Sequence, residues 1–154
     1  MVRHILIICV GNICRSPMAK GLMCMALPEC EIESAGLGAL VGQPADPIAV
    51  ELMQARGVDI SNHRARQLED KFIKESDLVL VMELNQQHYL ERQYPLARGK
   101  IFRLAESAKT DIPDPYRKSR QDFEDALKLI VQGVNAWTTR IVGINSGLNH
   151  KIQH

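Results

Sequence analysis

The apolar run Ile5-Leu6-Ile7-Ile8 and the stretch that follows it, Cys9-Val10-Gly11-Asn12-Ile13-Cys14-Arg15-Ser16-Pro17, constrain this chain more than any other segment. A short apolar run bounded by a turn reads as a strand, and Pro17 opens a helical pattern, so the segment is strand, tight loop, helix. A loop that leaves the carboxyl end of a strand and feeds a helix N-terminus aims several backbone N–H groups into one small volume. Such a nest, reinforced by the helix dipole, binds a tetrahedral oxyanion such as phosphate. Gly11 permits the sharp turn, and Ser16 before Pro17 is the expected N-cap.

The loop carries a nucleophile at one end and a guanidinium at the other. A nearby Arg and a helix N-terminus favour the thiolate of Cys9, which is the reactive form. Arg15 can fork two N–H donors onto two phosphoryl oxygens, a geometry that Lys lacks. In this reading the backbone from Val10, Gly11, Asn12, Ile13 and Cys14 to Arg15 cradles the anion, and the Asn12 side chain braces the loop by hydrogen bonds. Ser16 has two competing uses for one hydroxyl, capping the helix or donating to the Cys9 sulfur. Cys9 followed by five residues and Arg15 is the spacing that thiol-based phosphoryl transfer needs.

The rest of the chain alternates strands with helices. Strands are expected over Arg3–Ile8, Glu31–Ser34, Asp77–Met82 and Lys100–Leu104. Helices are expected from Ser16 to Leu27 ahead of Pro28, from Ile48 to Arg56 capped by Asp46 and closed by Gly57, over a short piece through Lys74, from Asn85 as cap to Tyr94, and from Ser119 onward with Asp122 completing a capping box. Phe123, Leu127, Ile130, Val134, Trp137 and Ile141 recur at helical spacing, so that face is buried and Trp137 is core. This alternation predicts a single α/β domain, a parallel four-stranded sheet with helices on both faces, over residues 1–143. The polar segment 144–154 is expected to fray, and His150 and His154 in it are too far apart to make a metal site.

In such a sheet ligands bind at the carboxyl ends of the strands, near the switch in winding direction. The loop after the first strand lies there, and so does the proline-stiffened loop after the fourth, Lys109 to Arg117, which contains Asp111 and Asp114. Asp114 is the candidate general acid for a leaving oxygen and, in a second step, the base that activates water; such help is worth roughly 100- to 10,000-fold in rate. Asp111 is its local competitor. His63 is expected to be a hydrogen-bonded structural residue.

At 154 residues, 45% apolar and 24% charged, the chain can bury a real core, and its net charge of +1 gives no broad basic field for nucleic acid. No apolar run approaches the ~20 residues of a membrane span, and the start has no cleavage site of a signal peptide. Four cysteines without a disulfide framework predict a cytoplasmic protein. A nucleotide-binding loop is excluded because no Gly-Lys-Ser/Thr follows Gly11.

The motif Cys9 to Pro17, Ser34-Ala35-Gly36, the run Asp77 to Met82 and Asp114-Pro115-Tyr116 together resemble the low-molecular-weight protein tyrosine phosphatases, over nearly the whole chain. The resemblance implies the flavodoxin-like fold of that family and cofactor-free, metal-free hydrolysis of phosphotyrosine in proteins through a phosphocysteine, with Asp114 as the acid. It also implies that Leu40, in the glycine-rich segment Ala35–Pro44, and Tyr116 form the two walls of the substrate site. Many members carry two adjacent tyrosines where this chain has Tyr116-Arg117, and Leu40 stands near where some carry an aromatic; both departures resemble bacterial members. A bacterial tyrosine autokinase in capsule or exopolysaccharide export is the partner so implied. Cys14 matches a second loop cysteine that forms a reversible disulfide with the nucleophile in many members. Arsenate reductase shares the fold and loop, but its further cysteines have no counterpart between Glu83 and Arg98. Loss of Cys9 or Asp114 would have favoured a binding or redox-sensing module, and both are present.

Overall fold

The computed structural model describes the backbone of residues 1–153 and the side chains of residues 1–147. The sheet is four-stranded and wholly parallel, with β1 (His4–Cys9), β2 (Glu31–Gly36), β3 (Leu78–Val81) and β4 (Ile101–Arg103) in the order β2-β1-β3-β4. The winding direction therefore reverses between β1 and β3. The helices are α1 (Arg15–Ala26), α2 (Pro47–Gln54), α3 (Asp70–Glu75), α4 (Leu84–Gln93) and α5 (Arg120–Gln153).

Successive residues of a strand face opposite sides of a sheet, and the inner strands are apolar on both. Ile5 and Ile7 of β1, with Leu78 and Leu80 of β3, pack into a core with Met18, Met23, Met53, Phe123, Ile130 and Val134 from α1, α2 and α5. Leu6, Ile8, Val79 and Val81 enter a second core with Ile73 of α3 and Leu90 of α4. The helical stripe from Phe123 to Ile141 is buried throughout. Trp137 belongs to it, packs tilted against Phe102 with ring centres 5.4 Å apart, and donates its indole N–H to the carbonyl of Arg103 at 3.1 Å.

Several boundaries differ from the sequence reading, each for a local reason. Helix α1 starts at Arg15 after Cys14, so Ser16 is not its cap; the Ser16 hydroxyl is engaged by Cys9 and Asn12. Helix α4 starts at Leu84, one residue before the expected cap Asn85. Gln86 reaches back there, and its Oε1 accepts from the N–H groups of Met82 and Glu83 at 3.0 and 3.1 Å. Strand β2 runs on to Gly36, because Ala35 and Gly36 pair with Ile8 and Cys9. The segment from Gly143 also differs from the sequence reading in its secondary structure. Helix α5 continues through Gly143 to Gln153, and the Asn145 side chain grips the backbone of Val2 twice, accepting from its N–H at 2.9 Å and donating to its carbonyl at 3.0 Å. His150 and His154 lie outside the residues whose side chains are described.

Candidate active site

The chain leaves β1 at Cys9, turns through Val10 to Cys14 and enters α1. Asn12 has the left-handed φ of 59°, a conformation that Asn tolerates better than most residues. Its buried side chain is fully engaged. Nδ2 donates to Ser16 Oγ at 2.7 Å and to Ser34 Oγ at 3.0 Å, and Oδ1 accepts from the N–H of Arg66 at 2.9 Å. The Ser16 hydroxyl, which accepts from Asn12, lies 2.9 Å from Cys9 Sγ, and its proton can be donated to that sulfur when the sulfur is a thiolate. The Asn12 N–H also points at that sulfur, at 3.2 Å.

From behind, His63 Nε2 lies 2.6 Å from the Asn12 carbonyl. A carbonyl can only accept, so His63 carries its proton on Nε2. Burial, aided by the cations Lys20, Arg64 and Arg66, lowers the His63 pKa against the opposing bond to Asn12. His63 is hydrogen-bonded, as expected of it, and its partner is the backbone of the loop.

The segment after β2 is fastened alongside the loop. The N–H groups of Leu37, Gly38 and Leu40 donate to the carbonyls of Cys9, Val10 and Gly11, all at 3.0 Å. A Cβ at Gly36 would sit 2.4 Å from the Val10 oxygen, so only glycine permits this approach.

Arg15 is 1% exposed. Its Nη1 donates to Glu83 Oε1 at 2.5 Å and to the Ile112 carbonyl at 2.8 Å. Nη2 lies 3.6 Å from Asp114 Oδ2, and Nε is buried with no protein partner. An unpartnered buried donor costs about 1–3 kcal/mol, so an edge of the guanidinium left in this state suits an incoming anion.

Cys9, Val10, Gly11, Ile13, Cys14, Arg15, Gly38, Leu40, Asp114 and Tyr116 enclose one cavity of about 110 Å³. The two strand-end loops thus bring together the three residues expected to do chemistry, with Leu40 and Tyr116 both in the wall. Asn12 and Ser16 do not line it; they brace the loop from inside the protein. Asp114 Oδ1 accepts from the Tyr116 N–H at 3.1 Å, and the Arg117 guanidinium lies 5.2 Å from the centre of the Tyr116 ring. Asp111 is engaged elsewhere, with the Leu84 N–H and Arg103. Burial first, then the carboxylates of Asp46 and Asp114, push the Cys14 thiol far up. A larger cavity of about 500 Å³ reaches the loop only through Pro17 and His63; Cys24 there is raised by burial and has no guanidinium beside it. Among the described residues no group of three or more His, Cys, Asp or Glu could hold a metal ion, and no helix is long and apolar enough to cross a membrane.

Glu83, Arg66, the Ile112 carbonyl and the bracing bond of Ser34 escaped the sequence reading. Glu83 had one available signal, its place just beyond an inner strand on the side where the loop from Cys9 to Cys14 emerges.

The family model described as low molecular weight phosphotyrosine protein phosphatase matches residues 4–146. A probable low molecular weight protein-tyrosine-phosphatase of Ralstonia solanacearum, EpsP, is 51% identical over 92% of this chain and 97% of its own. Among solved structures, Wzb of Vibrio vulnificus in complex with benzylphosphonate superposes with a TM-score of 0.87 at 38% identity, over 91% of this chain and 99% of that one. The tyrosine phosphatase Wzb of Escherichia coli K30 in complex with sulphate gives a TM-score of 0.87 at 37% identity, over 92% and 99%.

Proposed function

Because this chain belongs to the low molecular weight phosphotyrosine protein phosphatases, we propose that it hydrolyses phosphotyrosine in proteins through a phosphocysteine on Cys9, with Asp114 as general acid. The observation that carries this reading is the single cavity shared by Cys9, Arg15 and Asp114.

The Cys9 sulfur attacks phosphorus in line as the tyrosyl oxygen departs on the opposite side, where Asp114 gives it a proton. The backbone N–H groups at the start of α1, which a helix leaves without internal partners, hold the equatorial oxygens together with the Nε and Nη2 edge of Arg15. Preorganised donors of this kind are worth about 3–4 kcal/mol each at the transition state. Water activated by Asp114 then attacks the phosphocysteine, and the departing thiolate is received by the Ser16 hydroxyl and the Asn12 N–H. Cys14 is not the nucleophile, since its raised pKa keeps it a thiol. A cavity of about 110 Å³ is well below the ~300–1,000 Å³ that encloses a drug-sized ligand; it suits a phosphoryl group and one ring between Leu40 and Tyr116. The two Wzb structures support the reading, since they hold a benzylphosphonate and a sulphate. The partner we propose is a phosphotyrosine protein of the cytoplasm, in particular a bacterial tyrosine autokinase of exopolysaccharide export.

Cys9→Ser is expected to fold and bind inorganic phosphate while losing turnover. In wild type, acid quenching during turnover should trap one phosphoryl group on Cys9, seen by mass spectrometry. For Asp114→Asn the informative quantity is kcat/KM, which covers only the steps through departure of the phenol. It should fall about 100- to 10,000-fold for phosphotyrosine and much less for dinitrophenyl phosphate, whose oxygen leaves with little protonation. Equal losses on both esters would refute Asp114 as the acid.

A further inference from the structure

The loop that carries Asp114 is attached to the elements around it by a few bonds, and Asp111 makes two of them. Its Oδ1 accepts from the N–H of Leu84, the first residue of α4, at 2.9 Å, and from Arg103 Nη1 at 3.1 Å. A carboxylate at a helix N-terminus satisfies a donor that the helix cannot. Arg103 is fixed in turn. Its Nε pairs with Glu106 at 3.2 Å, and its carbonyl receives the Trp137 indole. The next residue, Ile112, is fully buried. Its N–H donates to the Met82 carbonyl at 3.0 Å, and its own carbonyl receives Arg15 Nη1 at 2.8 Å. Two residues later comes Asp114.

The Asp111 side chain is half-exposed, and an ion pair open to water on one side contributes little to stability. Its worth is therefore positional. It joins the end of β4, the N-terminus of α4 and the Asp114 loop at one point, while Glu83, one residue before α4, holds Arg15. We propose that Asp111 is a positioning residue of the phosphatase reaction, one that clamps the Asp114 loop to the β4 and α4 corner and so sets where the proton donor stands over the Cys9–Arg15 cavity. The proposal rests on Asp114 being the general acid.

The clamp needs an acceptor atom, not a titrating one, so Asn should serve where Ala cannot. In Asp111→Ala, kcat/KM for phosphotyrosine should fall about 10- to 100-fold, the scale on which a misplacement of about 1 Å is felt. For dinitrophenyl phosphate the loss should stay below about threefold, because that oxygen needs little proton transfer. Asp111→Asn should recover most of the loss, and Arg103→Met should repeat part of it. Competitive inhibition by inorganic phosphate, which reports the loop from Cys9 to Arg15, should be unchanged in all three. A loss of equal size on both esters, or none on phosphotyrosine, would overturn the proposal. Asp114→Asn measured on the same two esters separates the cases. If it shows the leaving-group dependence and Asp111→Ala does not, only the clamp fails. If Asp114→Asn shows none, the general-acid reading fails as well.

Discussion

Asn12 holds a backbone conformation that costs about 1–3 kcal/mol for a residue with a side chain, and its amide makes three hydrogen bonds that offset the cost. Asn12→Ala keeps the strain and leaves the Arg66 N–H without an acceptor, so a loss of about 2–4 kcal/mol is expected in urea unfolding. Asn12→Gly loses the same three bonds but relieves the strain, and should be less destabilised than Asn12→Ala by about 1 kcal/mol; identical values would show that the strain carries no weight. His63 adds a dependence on pH. Its pKa lies below the ordinary 6.5, so the unfolded chain takes up the proton first as pH falls. The stability His63 provides is whole above pH 6.5 and is lost as pH drops through its folded pKa. His63→Gln should therefore be less stable than wild type at neutral pH, with a gap that narrows on acidification; a gap that widens would reverse the assigned shift. Cys9, Arg15, Asp114 and the bracing role of Asn12 were legible because a local pattern announces them. The bonds by which Ser34 and Arg66 complete the brace were not, since the motif Ser34-Ala35-Gly36 says nothing of a partner and Arg66 carries no pattern until β2 folds beside β1.

Helices and strands were legible from apolar periodicity, and their ends were less so, because the same side chain can serve a cap or the site. Ser16 before Pro17 is a good cap by composition, yet the Cys9 sulfur and the Asn12 amide claim its hydroxyl. Close approaches between elements were invisible in the sequence as well. Gly133 lies inside α5, where Ala would ordinarily be favoured by about 1 kcal/mol, but its Cβ would come 2.6 Å from the Leu104 carbonyl oxygen. At Gly21 in α1 the contacts are side chains and not backbone, the branch methyls of Ile60 at 2.9 Å and Val58 at 3.0 Å. Gly133→Ala and Gly36→Ala should thus each destabilise by about 1–3 kcal/mol, as overpacking against backbone does. Gly36→Ala should also weaken competitive inhibition by inorganic phosphate. Gly21→Ala, which meets side chains only and gains helix propensity, should destabilise less than either. Thermal unfolding of the three variants checks the order, and a stabilised Gly133→Ala would mean that α5 is free to shift.

Over the whole molecule, the alternation of strands and helices was enough to place the loops after β1 and β4 at the same end of a parallel sheet, and so to bring Asp114 to Cys9. The length of α5 was not legible. A polar sequence with Gly143 and Gly147 looks like a tail, and only the three-dimensional neighbourhood reveals Asn145 holding Val2. Asn145→Ala should cost about 1–2 kcal/mol of stability through those two bonds, and leave kcat/KM for phosphotyrosine unchanged because the site is at the other end of β1. Reduced activity at unchanged stability would contradict that separation. The bonds from Leu37, Gly38 and Leu40 to the loop after β1 have a mechanical result for the mouth as a whole. They make Leu40 one jaw, cast in one piece with the backbone from Cys9 to Gly11. Tyr116 and Asp114 belong to the opposite jaw, hung from another strand. The width of the mouth is therefore set by where two separate strand ends stand in one sheet, and the bonds of Asp111 to Leu84 and Arg103 hold the second of them.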